Sequence, residues 1–185
     1  ILTYRDWLVE ELPNAKLFNW ANCWVSDLNL DKRDQISYLT TSKGWCEGHK
    51  MRQEIWYAID EYEDINGFEV WKKRTPPSLP NKNPSLENAK FTIVLENSEI
   101  NNYFSEKLLD CFESKTIPIY WGCPNVSEYF NMDGILHSHT LEEFEDIVNS
   151  LTPEMYEEKK EAIEENHQLG KKYHRAVDRV AEEIR

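Results

Sequence analysis

The sequence is short of glycine, cysteine and basic residues, and each shortage removes a class of protein. Its six glycines are scattered. No Gly-x-Gly-x-x-Gly and no Walker loop occurs, so the commonest backbone cradles for a nucleotide phosphate are missing. No Asp-x-Asp pair occurs either, which removes the usual sequence sign of a nucleotide-bound divalent metal. The 21 Lys and Arg stand against 34 Asp and Glu, a net charge of -13. Nucleic-acid and anionic-membrane binders need broad basic patches to displace counterions, so that class is excluded and any phosphate must be met by a few placed cations. No stretch reaches the roughly 20 apolar residues of a bilayer-spanning helix, and no charged-then-apolar leader is present. Cys23, Cys46, Cys111 and Cys123 lie far apart, without the close spacing of a zinc or redox motif. They read as free thiols, and a metal set drawn from Cys46, His49, Cys123, His137 and His139 is the weaker alternative.

What is present suits one globular domain with a full core: 185 residues, 40% hydrophobic and 30% charged. Residues 35–41 alternate and are rich in β-formers, then give way to Ser42, Lys43 and Gly44, as a strand followed by a loop. Met51, Ile55, Ala58, Ile59 and Tyr62 recur at helical spacing over 48–62, with His49, Arg52 and Trp56 beside that face. Residues 72–88 carry Pro76, Pro77, Pro80 and Pro84 among Lys and Asn, and read as a long surface loop. Ala89–Leu95 is a nearly continuous apolar run, the pattern of a buried parallel strand. A helix over 102–114 would bury Phe104, Leu108, Cys111 and Phe112 and turn Tyr103, Glu106, Lys107 and Asp110 to the other side.

Ile117–Trp121 reads as another buried strand, closed by Gly122 and Pro124, with a weaker one over 134–136. Leu141, Phe144, Ile147, Val148 and Leu151 mark an amphipathic helix, and Thr152-Pro153 starts the next. A last helix after Gly170 has the stripe Tyr173, Ala176, Val177, Val180, Ala181 and Ile184. The expected fold is therefore α/β, a Rossmann-like, mostly parallel sheet with helices on both faces and C-terminal helices. Ligands of such sheets gather outside the carboxyl ends of the strands, which directs attention to the segments after Leu95 and Trp121. The expected organisation is a lead-in segment over 1–35, the α/β domain over 36–151 and C-terminal helices over 152–185.

Without phosphate loops, charge on a bound diphosphate falls to side chains and helix ends. Lys107 and Arg52 are the candidates. An exposed Glu106-Lys107 pair is more often a solvated ion pair, and an Arg beside a core stripe more often a surface residue packing its stem. Position raises both: each lies near the start of a helix that follows a buried strand, where amides and dipole favour an anion. Tyr103 reads equally as helix-edge packing, and His49 as a capping or surface residue.

Three stretches carry a resemblance: Lys90-Phe-Thr-Ile-Val-Leu-Glu-Asn-Ser, then Asn-Tyr-Phe-Ser-Glu-Lys-Leu over 102–108, then Lys-Thr-Ile-Pro-Ile-Tyr-Trp-Gly-Cys-Pro over 115–124. Together they closely resemble the donor-binding signature of the alpha-1,3/1,4-fucosyltransferase family. Ile-Ser-Tyr-Leu-Thr over 36–40 and Gly-His-Lys-Met-Arg over 48–52 resemble the preceding strand and helix of the same lobe. The resemblance implies one lobe of a two-lobed glycosyltransferase that binds a GDP-sugar, GDP-fucose above all, for inverting transfer to a glycan acceptor. By the matched positions, Arg52 and Lys107 would hold the diphosphate, Glu106 and Tyr103 the sugar and its surroundings, and Asn97 would hydrogen-bond in the same pocket. Glu106 is then the expected catalytic residue, with no cofactor and no strict metal requirement.

In that family the general base belongs to an N-terminal lobe. The roughly 35 residues before the first recognised strand are too few for a second α/β domain, so the base is expected from another lobe or a partner chain. A transferase using another GDP-sugar and a non-catalytic nucleotide-sugar-binding module are the alternatives.

Overall fold

The computed structural model describes residues 1–75 and 81–184. The lead-in holds a small parallel pair, β1 (Leu2–Thr3) and β2 (Lys16–Leu17), around α1 (Asp6–Glu11). Six further strands follow: β3 (Arg33–Thr41), β4 (Asp64–Ile65), β5 (Phe68–Thr75), β6 (Ala89–Leu95), β7 (Ile117–Trp121) and β8 (Leu136–His137). They form one sheet in the order β4-β5-β3-β6-β7-β8, parallel throughout except for β4 against β5. The α/β, mostly parallel architecture expected from the sequence is the one observed. From β3 the chain passes through α2 (Glu47–Ile59) to β5 on one side. It then returns past β3 to β6 and moves the other way through α3 (Glu106–Glu113) to β7. The winding therefore reverses between β3 and β6, and loops leaving those two strands diverge and leave a crevice between them.

Side-chain alternation along the strands builds a core on each face of the sheet. Ile36, Tyr38, Phe91, Ile93 and Leu95 pack with Ile55 and Ile59 of α2 and with Phe144 and Val148 of α4 (Leu141–Ser150). Val94 and Tyr120 point the opposite way, onto Leu108, Leu109 and Phe112 of α3 and onto Phe130. Three helices close the chain: α5 (Pro153–Glu158), α6 (Lys160–Gly170) and α7 (Ala176–Glu183). Among the described residues no helix is long and apolar enough to cross a membrane.

Several local expectations need correcting. Residues 72–75, expected in a surface loop, are the second half of β5, which pairs with β3 from Gln35↔Glu69 to Thr41↔Thr75. Its Trp-Lys-Lys-Arg run hides a strand because β4 pairs only with Phe68 and Glu69 and leaves 71–74 with β3 alone as a neighbour, so cationic side chains can snorkel outward. Of the same expected loop, residues 76–80 lie outside the described residues, and Asn83–Ser85 form a 3-10 turn. Helix α2 ends at Ile59, leaving Ala58 and Tyr62 exposed rather than on the buried face. Helix α3 starts at Glu106, not near 102, because Ser105 caps it and Asn102 sits at φ 60. The left-handed region is one that Asn tolerates far better than most residues. The weak strand lies at Leu136–His137, with Gly134 in a 3-10 turn. In α7 only Ala176 is buried, while Val177 and Ile184 of the expected stripe are exposed.

Candidate functional site

The carboxyl ends of β3 and β6 open into a cavity of about 940 Å³. Arg52, Asn97, Tyr103, Glu106 and Lys107, the five residues singled out from the sequence, all line it, as does His49. The local fold explains how α2, α3 and the loop after β6 converge. Gly48 lies so close to the end of β6 that a Cβ there would stand 1.8 Å from the Glu96 carbonyl oxygen. Only glycine admits that approach, and its N–H donates to the Asn97 carbonyl at 3.2 Å. The first turns of α2 are thereby held against residues 96–97.

Arg52 is buried, not a surface residue with a packed stem. Its Nε donates to the Leu95 carbonyl at 3.2 Å and its Nη2 to the same oxygen and to Asn97 Oδ1, the latter at 3.0 Å. One guanidinium thus binds the last carbonyl of β6 and orients Asn97. Beyond Asn97 the loop is pinned by the lead-in segment: Asn19 Nδ2 donates to the Asn102 carbonyl at 2.8 Å, and Asn102 Nδ2 to Asp6 Oδ1 at 2.6 Å.

Glu96 is the organising residue that sequence reading missed. It is completely buried, with Oε1 accepting the Ser105 N–H at 2.8 Å and Oε2 the Ser105 hydroxyl at 2.6 Å. Ser105 in turn accepts the Lys107 N–H as the N-cap of α3. Lys107 Nζ lies 3.0 Å from Glu106 Oε1, 3.1 Å from Ser105 Oγ and 3.8 Å from Glu96 Oε2. Burial pushes the Glu96 carboxyl above its ordinary pKa, although Lys107 and Ser105 pull against it. Burial acts on Glu106 in the same direction, but Lys107 and Lys82 outweigh it and hold that carboxyl below the usual range. Lys107 is desolvated yet raised, because Glu96 and Glu106 flank it. Burial, with Arg52, Lys43 and Lys107 nearby, holds the His49 imidazole below its ordinary pKa.

Tyr103, expected on the exposed side of a longer helix, lies in the loop before α3 and packs on Tyr4 with ring centroids 5.2 Å apart. Asp110, expected to face outward with Glu106, is buried beside Lys82 and Trp24. Lys82, Trp24 and Trp45 also line the cavity, the two indoles 65% and 82% exposed. The amphipathic pattern could not reveal Glu96 or Asp110, since both carry a charge where the core would take an apolar residue. Chemically, the cavity offers the amino end of a helix, two cations from separate elements and a carboxylate held ionised, a set suited to an anion joined to a group that gains positive charge. All four cysteines are free thiols, and among the described residues no three His, Cys, Asp or Glu side chains converge as a metal set.

The model of glycosyltransferase family 10 (fucosyltransferase), C-terminal part, matches residues 30–181. The Alpha-(1,3)-fucosyltransferase FucT of Helicobacter pylori is 30% identical over 99 residues, which are 54% of this chain and 21% of that protein. A crystal structure of an alpha1,3-fucosyltransferase with GDP-fucose superposes with a TM-score of 0.52 at 23% identity, covering 71% of this chain and 39% of the other. A crystal structure of an alpha1,3-fucosyltransferase gives a TM-score of 0.51 at 20% identity, covering 80% and 43%. These superpositions show the fold. The chain spans about a fifth of the length of the curated relative and about two fifths of the solved structures it matches.

Proposed function

The chain belongs to glycosyltransferase family 10, the fucosyltransferases, and from that premise we propose that it holds GDP-fucose for inverting transfer of the sugar to a glycan hydroxyl. One observation carries this reading: Arg52 and Lys107, on helices that pack against opposite faces of the sheet, reach one cavity at the winding reversal, with Glu106 beside Lys107. Breaking the sugar–phosphate bond places negative charge on the departing diphosphate and positive charge on the sugar ring. Cations at the first and a carboxylate at the second lower the barrier, provided they are fixed before reaction. Arg52 and Lys107 are assigned to the diphosphate, Glu106 and Tyr103 to the sugar side, and Asn97 to a hydrogen bond in the same cavity. Side chains and the α3 amino end neutralise the leaving group, and no divalent metal is assigned to it.

Transfer also requires an acceptor hydroxyl held in line with the anomeric carbon and a base within hydrogen-bond reach. Glu106, flanked by two lysines, is kept ionised to face charge rather than placed on an acceptor. The base is therefore assigned to another lobe or a partner chain. The test is to mix the chain with GDP-fucose and N-acetyllactosamine-type acceptors and follow binding and GDP release by nuclear magnetic resonance. Binding without fucosylation supports the assignment, and robust fucosylation by this chain alone overturns the assigned source of the base. Preference for GDP-mannose over GDP-fucose would instead favour a transferase of another GDP-sugar.

A further inference from the structure

Lys82 enters the cavity from the turn before β6 and is held there by three partners. Its Nζ donates to Asp110 Oδ2 at 3.0 Å and stands 3.5 Å from Glu106 Oε1. The Trp24 ring covers it, with the centroid 4.5 Å from Nζ. Asp110 is buried, and its other oxygen accepts the Trp24 backbone N–H at 2.7 Å. Glu106 and Asp110 are four residues apart on α3, so one ammonium can bridge both. The lead-in segment, the turn before β6 and α3 therefore meet at a single cation.

Glu106 has a second lysine close by, and the contrast between the two is informative. Lys107 is shared among Glu106, Ser105 and the buried Glu96, and under the function proposed above it turns to the diphosphate. Glu106, with its side chain only 14% exposed, would then stand as a desolvated carboxylate beside a new anion, an arrangement that is costly without another cation. Lys82 is the one placed to stay, because Asp110 anchors it from below and Trp24 closes it from above. We infer that Lys82, fixed by Asp110 and covered by Trp24, is the positioning residue that holds the Glu106 carboxylate on the sugar side of the donor while Lys107 engages the diphosphate. This inference rests on the donor-pocket reading. The charged and titratable groups around Glu106 are Lys107 and Asp110 on its own helix, Lys82 from the turn, Glu96 at the end of β6 and Tyr103 in the preceding loop.

The experiment follows the Glu106 carboxyl by carbon-13 nuclear magnetic resonance through a pH titration, with and without GDP, in the parent, Lys82→Met and Lys82→Arg. Calorimetry of GDP and GDP-fucose binding accompanies it. Lys82→Met should raise the Glu106 pKa by about one unit, more with GDP bound, because an opposite charge within a few ångströms has been removed. It should also weaken GDP-fucose binding about fivefold, with a smaller effect on GDP. Lys82→Arg should restore both, and Lys82→Met added to Glu106→Gln should weaken GDP-fucose no further than Glu106→Gln alone. If Lys82→Met does not fold by circular dichroism, Lys82→Gln carries the same expectation, since it removes the same charge and keeps a polar end beside Asp110. A parent that binds the donor while Glu106 titrates identically in Lys82→Met, or losses that add in the double variant, overturns the role of Lys82 alone. A parent that binds neither GDP nor GDP-fucose overturns the donor-pocket reading and this role with it.

Discussion

Glu96 and Ser105 are joined by two hydrogen bonds, the carboxylate accepting the backbone N–H at 2.8 Å and the hydroxyl at 2.6 Å. That contact fixes where α3 begins, and so where Glu106 and Lys107 stand. Glu96→Ala should destabilise the fold by about 1 to 3 kcal/mol, because the Ser105 donors lose their acceptor and the completely buried Glu96 side chain leaves a gap. Glu96→Gln keeps one acceptor and removes the charge. Burial raises the native pKa of Glu96. A carboxyl raised in this way contributes stability that is fully present below its unfolded pKa and is lost as pH rises through the folded one. The stability deficit of Glu96→Gln against the parent should therefore narrow as pH rises above the ordinary Glu range. Urea unfolding at a series of pH values checks this, and a deficit that widens with pH would contradict it.

Gly48 tests the close approach of α2 to β6. A methyl group there meets backbone at 1.8 Å, and backbone cannot rotate away as a side chain can. Gly48→Ala should cost roughly 3 kcal/mol or more, at the upper end of overpacking penalties. Gly44, where an added methyl group would find nothing within 4 Å, serves as the control. Thermal unfolding of the two variants should separate them clearly, and equal melting temperatures would show that the first turn of α2 is free to shift.

Arg52 combines a structural duty with its assigned one. Arg52→Ala leaves the Leu95 carbonyl and Asn97 Oδ1 without their donor, so it should lower stability by about 1 to 3 kcal/mol. It should also weaken GDP binding. Arg52→Lys keeps the charge but cannot reproduce the fork of nitrogens, so the stability loss should be only partly recovered. Chemical denaturation beside GDP titration reads both effects, and a fully stable Arg52→Ala would mean that the buried guanidinium is dispensable.

Charge on the donor is assigned to side chains rather than to a metal. GDP-fucose affinity should then change little on adding a chelator or millimolar magnesium, as compared by calorimetry. A strict divalent requirement would refute the assignment.

Much of the fold was legible because the inner strands are nearly pure apolar runs. Ala89–Leu95 and Ile117–Trp121 could hardly be anything but buried strands, and both are where the sequence puts them. Strand β5 was not legible: Trp71, Lys72, Lys73 and Arg74 give no alternation, and its pairing with β3 is a tertiary fact. The stripe of α7 was misleading for the opposite reason, since regular spacing cannot say whether a neighbour exists to cover Val177 and Ile184. At the cavity, Arg52, Asn97, Tyr103, Glu106 and Lys107 could be picked out from motif positions and their places after buried strands. Glu96, Asp110 and Lys82 could not. Their importance lies in contacts between segments far apart in sequence, such as Lys82 with Asp110, and in burial of charges that a periodicity argument assigns to solvent.

The central claim is that this cavity binds the donor's diphosphate, and Lys107 tests it most directly, because its ammonium lies in the cavity and outside the backbone bonds that hold the fold. Calorimetric titration of GDP-fucose into the parent and into Lys107→Ala, with circular dichroism to confirm folding, is the decisive measurement. The parent should bind, and the folded variant should bind about tenfold more weakly or worse, the equivalent of one charge-assisted contact. No binding by the parent, or equal affinity in the two proteins, would contradict the account.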